Sequence, residues 1–252
     1  MIKELLHIHK SGISEVTFSP DGKTLFSSGY DGRIISWDIN TGQALRVFED
    51  SHNVTTMSLS PNGTLIAYGT IDFKIKIYET KLWHLRQILE GHENTPVAIA
   101  FSPDSKMLAS GSSDGKIIIW DVQTGEKKVS MEERGAVRSL AFSPNGKNIA
   151  TGSFDNMVKI WDVNTGKLVQ GTIKNRVLMI SMLALAYSPN GKIIASASDN
   201  GIIRLWNAHT NILQGVLTGH ENWVSALAFS PDGGILASGG RDKTIRLWNV
   251  RI

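Results

Sequence analysis

The sequence predicts an all-β fold made of six repeats of one four-stranded unit. A Ser-Pro pair recurs with spacings of 41, 42, 41, 45 and 42 residues, at Pro20, Pro61, Pro103, Pro144, Pro189 and Pro231. An aromatic residue stands seventeen positions after each proline, at Trp37, Tyr78, Trp120, Trp161, Trp206 and Trp248. A period of this length with four strands per unit is typical of a β-propeller, in which each repeat forms one blade. We therefore expect a closed six-bladed β-propeller with four antiparallel strands per blade.

The third repeat shows how each strand follows from the local sequence. The apolar segment 97–101 predicts an innermost strand, and the Ser-Pro-Asp that follows favours a turn because proline fixes φ. The small residues of 107–111 predict a second strand, and the β-branched run 117–121 predicts a third. The polar segment 127–131 fits the outer edge of the blade, where polar side chains are expected.

The repeats account for the whole chain, so we expect one domain over residues 1–252. The repeat cores are expected at about 13–49, 54–90, 97–132, 137–173, 182–217, and 224–252 together with 3–7. The sixth repeat ends after the Trp248 strand, and Glu4–His7 aligns with the outer strand Gln87–Glu90 of the second repeat. We expect residues 3–7 to complete the last blade and to close the ring, which removes exposed strand edges.

Composition excludes several classes of function. Hydrophobic residues make up 41% and charged residues 19% of the chain, as in ordinary globular proteins. The net charge of +3 is spread without a Lys/Arg run, so direct nucleic-acid binding is not expected. The absence of cysteine excludes disulfides, thiolate catalysis and cysteine-ligated zinc. No signal-peptide pattern or membrane-length apolar run is present, so we expect a soluble cytoplasmic protein, with the nucleus left open, and no membrane contact.

The repeated aromatic belongs to a recognisable motif. A Trp-Asp dipeptide occurs at Trp37, Trp120 and Trp161, and a Gly-His dipeptide ends at His92 and His220, each eleven residues before its proline. With these motifs the whole chain resembles the WD40-repeat proteins. The resemblance implies a hydrogen-bonded His, Ser/Thr, Asp and Trp network inside each blade. The matching positions are His9, Ser27, Asp31 and Trp37; His92, Ser110, Asp114 and Trp120; His220, Ser238, Asp242 and Trp248; and, without the histidine, Thr151, Asp155 and Trp161.

Three repeats depart from this pattern. The fourth has Glu133 in the histidine place, and the fifth has Leu178 and Asn200 in the histidine and aspartate places. The second has Tyr68 in the serine place and His52 two residues nearer its proline than usual. We expect blades two and five to be the least regular.

Three patterns could be mistaken for a catalytic or metal site. His, Ser and Asp within one repeat resemble a hydrolytic triad, but an enzyme does not need several copies, and a buried indole N–H and imidazole need such partners. The segment 111–115 matches G-x-S-x-G but lies between two predicted strands, whereas that motif needs a strand-to-helix turn. His7 and His9 share a strand face without a third ligand, so no metal is expected. The sequence predicts no cofactor and no enzyme activity.

The residues that interrupt the repeat are the candidates for partner binding. By the resemblance, the turns that contain the motif Asp and the loops entering the innermost strands lie together on one face, the top face. The residues before the turn Asp or Asn are Tyr30, Ile71, Ser113, Phe154, Asp199 and Arg241. Exposed aromatics and an arginine fit a protein-binding hot spot. Packing of Tyr30 and Phe154 over neighbouring blades is the alternative.

Three further features of the sequence are unusual. Trp223 lies in the loop after His220 and is expected to join the top-face candidates. Leu178 lies in the lengthened loop 173–181 of the fifth repeat, where its apolar group either caps the central channel or awaits a partner. Trp83 and His84 replace a tight Thr-Gly turn and are expected on the opposite face, as a rival contact site.

The sequence therefore predicts a non-catalytic scaffold or adaptor that binds a protein or peptide on its top face. Tyr30, Phe154, Trp223 and Arg241 are the expected anchors, with Ile71 and Leu178 beside them. We expect a monomeric ring or a subunit of a multi-protein complex. The alternatives are a structural subunit that uses its rim and blade two, and a ligand binder or enzyme that uses the central channel. Fold alone does not choose among them.

Overall fold

Every regular element that the structure describes is a β-strand. The computed structural model describes residues 8–155, 157–169, 173–174 and 182–250. Within these ranges, 23 strands form six antiparallel sheets, five of four strands and one of three. The predicted all-β fold of six blades is confirmed.

The first three sheets contain β1 (Ile13–Phe18), β2 (Thr24–Gly29), β3 (Arg33–Asp38) and β4 (Ala44–Glu49); β5 (Val54–Leu59), β6 (Leu65–Thr70), β7 (Ile75–Glu79) and β8 (Leu85–Leu89); and β9 (Pro96–Phe101), β10 (Met107–Ser112), β11 (Lys116–Asp121) and β12 (Lys127–Glu132). The last three contain β13 (Val137–Phe142), β14 (Asn148–Ser153), β15 (Met157–Asp162) and β16 (Ile173–Lys174); β17 (Met182–Tyr187), β18 (Ile193–Ser198), β19 (Ile203–Asn207) and β20 (Leu213–Leu217); and β21 (Val224–Phe229), β22 (Ile235–Gly240) and β23 (Ile245–Asn249). In each sheet the strands follow chain order.

The Ser-Pro turn fixes the hairpin between the first two strands of a sheet. In the first sheet, the hydroxyl of Ser19 donates to Asp21 at 2.6 Å and accepts the backbone N–H of Thr24 at 2.9 Å. Gly22 adopts φ 69°, a left-handed conformation that costs glycine little. The serine, the aspartate and the glycine of the turn therefore each have a structural role, which explains why the turn recurs.

The chain divides into two compact units. One comprises Met1–Asp114 and Trp120–Lys127, and the other comprises Gly115–Ile119 and Lys128–Ile252. Each unit has its own core of successive sheets packed face to face.

Successive sheets within a unit use two different faces. In the first unit, Phe26 and Ile34 of the first sheet pack against Met57 and Ile66 of the second. We call the face that carries Ile34, and its repeat equivalents, the trailing face of a sheet. The face that carries Met57 and Ile66, and their repeat equivalents, is its leading face. The trailing face of the first sheet is thus covered by the leading face of the second.

The second unit repeats this arrangement. Val158 and Ile160 on the trailing face of the fourth sheet pack against Leu185 and Ile194 on the leading face of the fifth.

Among the described residues the fourth sheet has the least regular strands, which differs from the expectation. Blades two and five, expected to be the least regular, each have four strands of five or six residues. The shortest strand among the described residues is β16, with two residues. The predicted closing strand at residues 3–7 lies outside the described residues, so closure of the last blade stays a prediction.

Candidate partner-binding residues and the blade networks

A buried hydrogen-bond network joins the motif residues within a sheet. In the third sheet, His92 Nε2 lies 2.7 Å from the Ser110 hydroxyl, and His92 Nδ1 lies 3.1 Å from Asp114. The indole N–H of Trp120 donates to the same hydroxyl at 2.8 Å. Since that hydroxyl accepts from the indole, its own proton can go to Nε2, which leaves Nδ1–H to donate to the carboxylate. The same contacts join His9, Ser27, Asp31 and Trp37 in the first sheet and His220, Ser238, Asp242 and Trp248 in the sixth.

These networks are not arranged for hydrolysis. Ser27, Ser110 and Ser238 are buried, so no substrate carbonyl can reach their hydroxyls. Each hydroxyl also accepts the indole proton, which draws on the lone pairs that a nucleophile would need. These hydrogen bonds therefore have a structural role within each blade.

The fourth sheet replaces the histidine with an ion-paired network. The hydroxyl of Thr151 accepts from the Trp161 indole at 2.8 Å and donates to Glu133 at 2.7 Å. The ammonium of Lys159 pairs with Glu133 and lies 2.6 Å from Asp155. Burial alone would lower the pKa of Lys159, but the hydrogen bonds to Asp155 and Glu133 raise it. Lys159 was not among the residues singled out from the sequence.

The second sheet contains a similar network that sequence reasoning missed. Asp50, not His52, occupies the histidine place, and its carboxylate accepts from the Tyr68 hydroxyl at 2.9 Å and from Lys76 Nζ at 2.6 Å. The ring of His52 is partly exposed and contacts Ser51 at 2.9 Å instead. The sequence did indicate this position of Asp50, because Asp50 stands eleven residues before its proline, as the motif histidines do.

A shared offset also identifies the lysines. Lys76 follows Asp50 by the same 26 residues that separate Lys159 from Glu133. In the repeats that keep the histidine, the residue 26 positions later is Ile35 after His9, Ile118 after His92 and Arg246 after His220. An acid in the histidine place is thus accompanied by a lysine that neutralises its charge.

Trp83, in the turn between β7 and β8 of the second sheet, packs against the first sheet. Its ring stacks on Phe48, with 5.1 Å between the ring centroids, and its backbone has φ 57°. Its N–H donates to the carbonyl of Glu79 at 2.8 Å, as Gly42 does to Asp38 in the first sheet. Trp83 therefore takes the left-handed turn position that Gly42, Gly125 and Gly166 fill in the first, third and fourth sheets. His84, its predicted companion, is exposed.

The predicted anchors lie in equivalent turns. The backbone N–H of Tyr30 donates to the carbonyl of Gly12 at 2.9 Å, and that of Arg241 donates to the carbonyl of Trp223 at 2.7 Å. Ile71 makes the corresponding contact to Asn53 at 3.3 Å. Each of these three turns is thus tied to the loop that enters the same sheet. The apolar anchors Tyr30, Phe154 and Trp223 and their neighbour Ile71 remain exposed.

Two arginines are stacked on these aromatics. The guanidinium carbon of Arg241 lies 4.0 Å from the ring centroid of Trp223, and that of Arg138 lies 4.8 Å from the ring centroid of Phe154. Stacking positions a guanidinium while its N–H edge can still donate. Arg138 was not singled out from the sequence, and its place in β13 gave no signal of the stacking.

Phe73 is a further exposed aromatic that sequence reasoning missed. It lies two residues after Ile71 and adopts φ 70°. The equivalent positions are Gly32, Gly115 and Gly201 in three other repeats and Lys243, with φ 65°, in the sixth, and all of them have positive φ. A large side chain in a left-handed conformation is strained, and such strain clusters at functional sites.

The candidate residues fall into both compact units. Tyr30, Ile71 and Phe73 belong to the first unit, and Phe154, Trp223 and Arg241 to the second. Leu178 lies outside the described residues. No helix within the described ranges is long and apolar enough to cross a membrane.

Curated proteins resemble parts of this chain. Periodic tryptophan protein 2 of Arabidopsis thaliana is 30% identical over 117 residues, which cover 45% of this chain and 13% of that protein. A guanine nucleotide-binding protein subunit beta of Oryza sativa subsp. japonica is 27% identical over 135 residues, 50% of this chain and 36% of the relative. Small ribosomal subunit protein RACK1 of Candida albicans is 32% identical over 124 residues, 46% and 39% respectively. Each match spans less than two fifths of the relative's length.

Two family models match the chain. Residues 60–211, more than half of the chain, match the IFT122 first beta-propeller. Residues 2–38 and 211–249 match the WD domain, G-beta repeat. Together with the six sheets and the repeated Trp-to-Ser/Thr bonds, these matches show that the chain belongs to the WD40-repeat β-propeller family.

Proposed function

We propose that this chain is a non-catalytic scaffold that binds a protein or peptide through its exposed turn residues. The observation that carries the proposal is the preassembled pair of Trp223 and Arg241, stacked at 4.0 Å and joined by a backbone hydrogen bond of 2.7 Å. A rigid aromatic with a positioned guanidinium loses little conformational entropy on binding. Tryptophan, tyrosine and arginine are also the residues most enriched in binding hot spots.

The other turns support the same function. Tyr30 and Ile71 are held by backbone bonds to the entering loops, and Phe73 keeps a strained conformation in which its ring is exposed. Exposed apolar residues in these turns are explained if a bound partner covers them. The similarity to a guanine nucleotide-binding protein subunit and to a ribosomal subunit protein also supports a role in an assembly.

The test compares two sets of substitutions in affinity capture from native lysate. One triple variant carries Tyr30→Ala, Ile71→Ala and Phe73→Ala, and the other carries Phe154→Ala, Trp223→Ala and Arg241→Ala. Partners that wild-type protein captures should be lost with at least one triple variant, and cross-linking should place them at the substituted turns.

A matched control replaces exposed apolar residues elsewhere, with Leu82→Ala and Ile212→Ala. Thermal melts of all variants should show folded protein. Partners retained by both triple variants, or lost equally with the control, contradict the assignment of the turns.

A further inference from the structure

A hydroxyl and a cation lie opposite each other in the second, fourth and fifth sheets. The second and third strands of these sheets pair Tyr68 with Lys76, Thr151 with Lys159, and Ser196 with Arg204. Residues directly opposite each other in antiparallel strands point to the same face, with their Cβ atoms about 5 Å apart. The three pairs therefore occupy equivalent places in their blades.

In the second and fourth sheets a carboxylate joins the two members of the pair. Asp50 does so in the second sheet, where it accepts from both the hydroxyl and the ammonium. In the fourth sheet Glu133 accepts from the Thr151 hydroxyl at 2.7 Å and also pairs with the ammonium of Lys159. In both blades one carboxylate thus takes the proton of a hydroxyl and neutralises a buried cation.

The fifth sheet has the same pair without a carboxylate. The Ser196 hydroxyl accepts the Trp206 indole N–H at 2.8 Å, but no acceptor for its own proton lies among the described residues. The guanidinium of Arg204 likewise has no ion-pair or hydrogen-bond partner in the described part of the chain. Burial lowers the pKa of Arg204, and no carboxylate offsets this effect.

Both groups are hidden from solvent, so water does not replace the missing acceptor. Ser196 is 1% exposed and Arg204 is 8% exposed. Buried donors without an acceptor are costly and rare, and a buried charge without a counter-charge is more costly still. The pair therefore indicates that an acceptor from elsewhere binds here.

The sequence of the fifth repeat supplies almost no acid. Between residues 163 and 220 the only acidic residue is Asp199, against five lysines and arginines. Asp199 is not among the groups that shift the pKa of Arg204. By its offset from the proline, the place that Glu133 fills in the fourth repeat belongs to Leu178, and leucine has no acceptor. The repeat thus retains the cation and lacks the acid.

We propose that the fifth sheet binds the carboxylate of a ligand between Ser196 and Arg204. The carboxylate accepts from the hydroxyl and from the guanidinium, as Glu133 accepts from Thr151 and Lys159 in the fourth sheet. A planar guanidinium donates two parallel N–H bonds to a planar carboxylate, which an ammonium cannot do. The excess of cations in the repeat also favours an anion. The carboxylate belongs either to a free small acid or to an acidic side chain of a partner.

This site is separate from the turns of the proposed function. Ser196 and Arg204 lie in β18 and β19, inside a sheet, whereas Trp223 and Arg241 lie in exposed turns. Because the two sites share no residue, either proposal can fail without the other.

The test measures urea unfolding of the full chain while sodium acetate replaces sodium chloride at constant ionic strength and pH. Constant ionic strength keeps the general screening of charges unchanged. A ligand that binds only the folded chain multiplies the folding equilibrium constant by one plus the ratio of its concentration to Kd. At an acetate concentration ten times Kd, the wild-type folding equilibrium constant should therefore rise about elevenfold.

Three variants assign the effect to the proposed site. Arg204→Met and Arg204→Gln each remove the charge, and both should lose the acetate-dependent rise. Two neutral replacements are used so that the test still holds if one of them fails to fold. Lys192→Met is the matched control, because it removes an exposed lysine of the same repeat and should keep the full rise.

A peptide identifies the source of the carboxylate. The probes are the acetylated and amidated peptide Gly-Glu-Gly and its counterpart Gly-Gln-Gly, which lacks the carboxylate. A lower half-saturating concentration for Gly-Glu-Gly than for acetate supports an acidic side chain of a partner. A lower value for acetate supports a free small acid. Gly-Gln-Gly should have no effect in either case.

Three results overturn the proposal. The first is a wild-type folding equilibrium constant that acetate and Gly-Glu-Gly both leave unchanged. The second is an acetate-dependent rise that persists in Arg204→Met or Arg204→Gln, since the carboxylate then binds elsewhere. The third is a rise that Lys192→Met also loses, since the effect then follows net charge instead of the buried guanidinium.

Discussion

Replacement of Lys76 by methionine should destabilise the protein far more than a surface substitution does. Lys76 is the cation that neutralises Asp50, and the side chains of the pair are 13% and 4% exposed, respectively. Methionine fills a similar volume but leaves the carboxylate buried without a counter-charge. Breaking a buried ion pair by removing one partner typically costs 3–5 kcal/mol.

We expect the lower end of that range, about 3 kcal/mol, because the Tyr68 hydroxyl still donates to Asp50 at 2.9 Å. Converting the acid as well, with Asp50→Asn, removes the unpaired charge. The double variant should therefore be more stable than the sum of the single changes predicts, by about 1 kcal/mol or more.

The pH dependence has a defined sign. Burial opposes ionisation of Asp50, but Lys76, the His52 backbone N–H and Tyr68 together hold its pKa below the ordinary value of 3.8. In wild type this contribution is present above pH 3.8 and is lost as the pH falls through the lowered pKa. Without the ammonium, burial should instead raise the pKa of Asp50. The loss of unfolding free energy caused by Lys76→Met should then become smaller as the pH falls from about 7 to about 5.

Urea unfolding monitored by tryptophan fluorescence measures both effects. Lys74→Met is the matched control, because Lys74 pairs with Glu90 at 2.7 Å in an exposed position. Exposed pairs contribute about 0–1 kcal/mol, so the control should lie near wild type. Equal losses for Lys76→Met and Lys74→Met, or a Lys76→Met deficit that does not change with pH, would refute the reasoning.

Three other changes test separate features. Phe73→Gly should raise the free energy of unfolding by about 1 kcal/mol, because glycine relieves the strain at φ 70°; a lower urea midpoint would contradict this strain. Alanine at Trp223 or Tyr30 should weaken partner binding by about 2 kcal/mol in calorimetry with the captured partner, and unchanged affinity in both removes them as hot spots. If residues 3–7 form the predicted closing strand, Leu5→Pro should lower the unfolding midpoint because proline cannot donate a ladder bond, whereas an unchanged midpoint on deleting residues 1–8 argues against that strand.

Much of the fold could be predicted because its signals are local. The Ser-Pro turn, the glycine at left-handed positions and the alternation of apolar residues act within a few residues of one another. Because the unit recurs with a period of 41 to 45 residues, each local inference applies to all six repeats. Strand positions and antiparallel order followed from these signals.

The blade networks could be predicted only where the residues kept the family pattern. His92, Ser110 and Trp120 were recognised and lie in hydrogen-bond contact. Asp50 and Lys76 were overlooked because 26 residues separate them and because both differ from the residues at these positions in the motif-bearing repeats. Two residues that replace an imidazole and an isoleucine resemble unrelated surface charges until the fold brings them within 2.6 Å.

By itself the sequence determined the repeat, the strand and turn chemistry of each blade, and the family. The tertiary structure decided which equivalent residues are buried and which are presented. Ile117 and Ile245 occupy the same repeat position, yet one is fully buried and the other is 82% exposed. Strand formation depends on neighbours along the chain, whereas burial depends on the sheet that packs against a face, and no local pattern specifies that sheet.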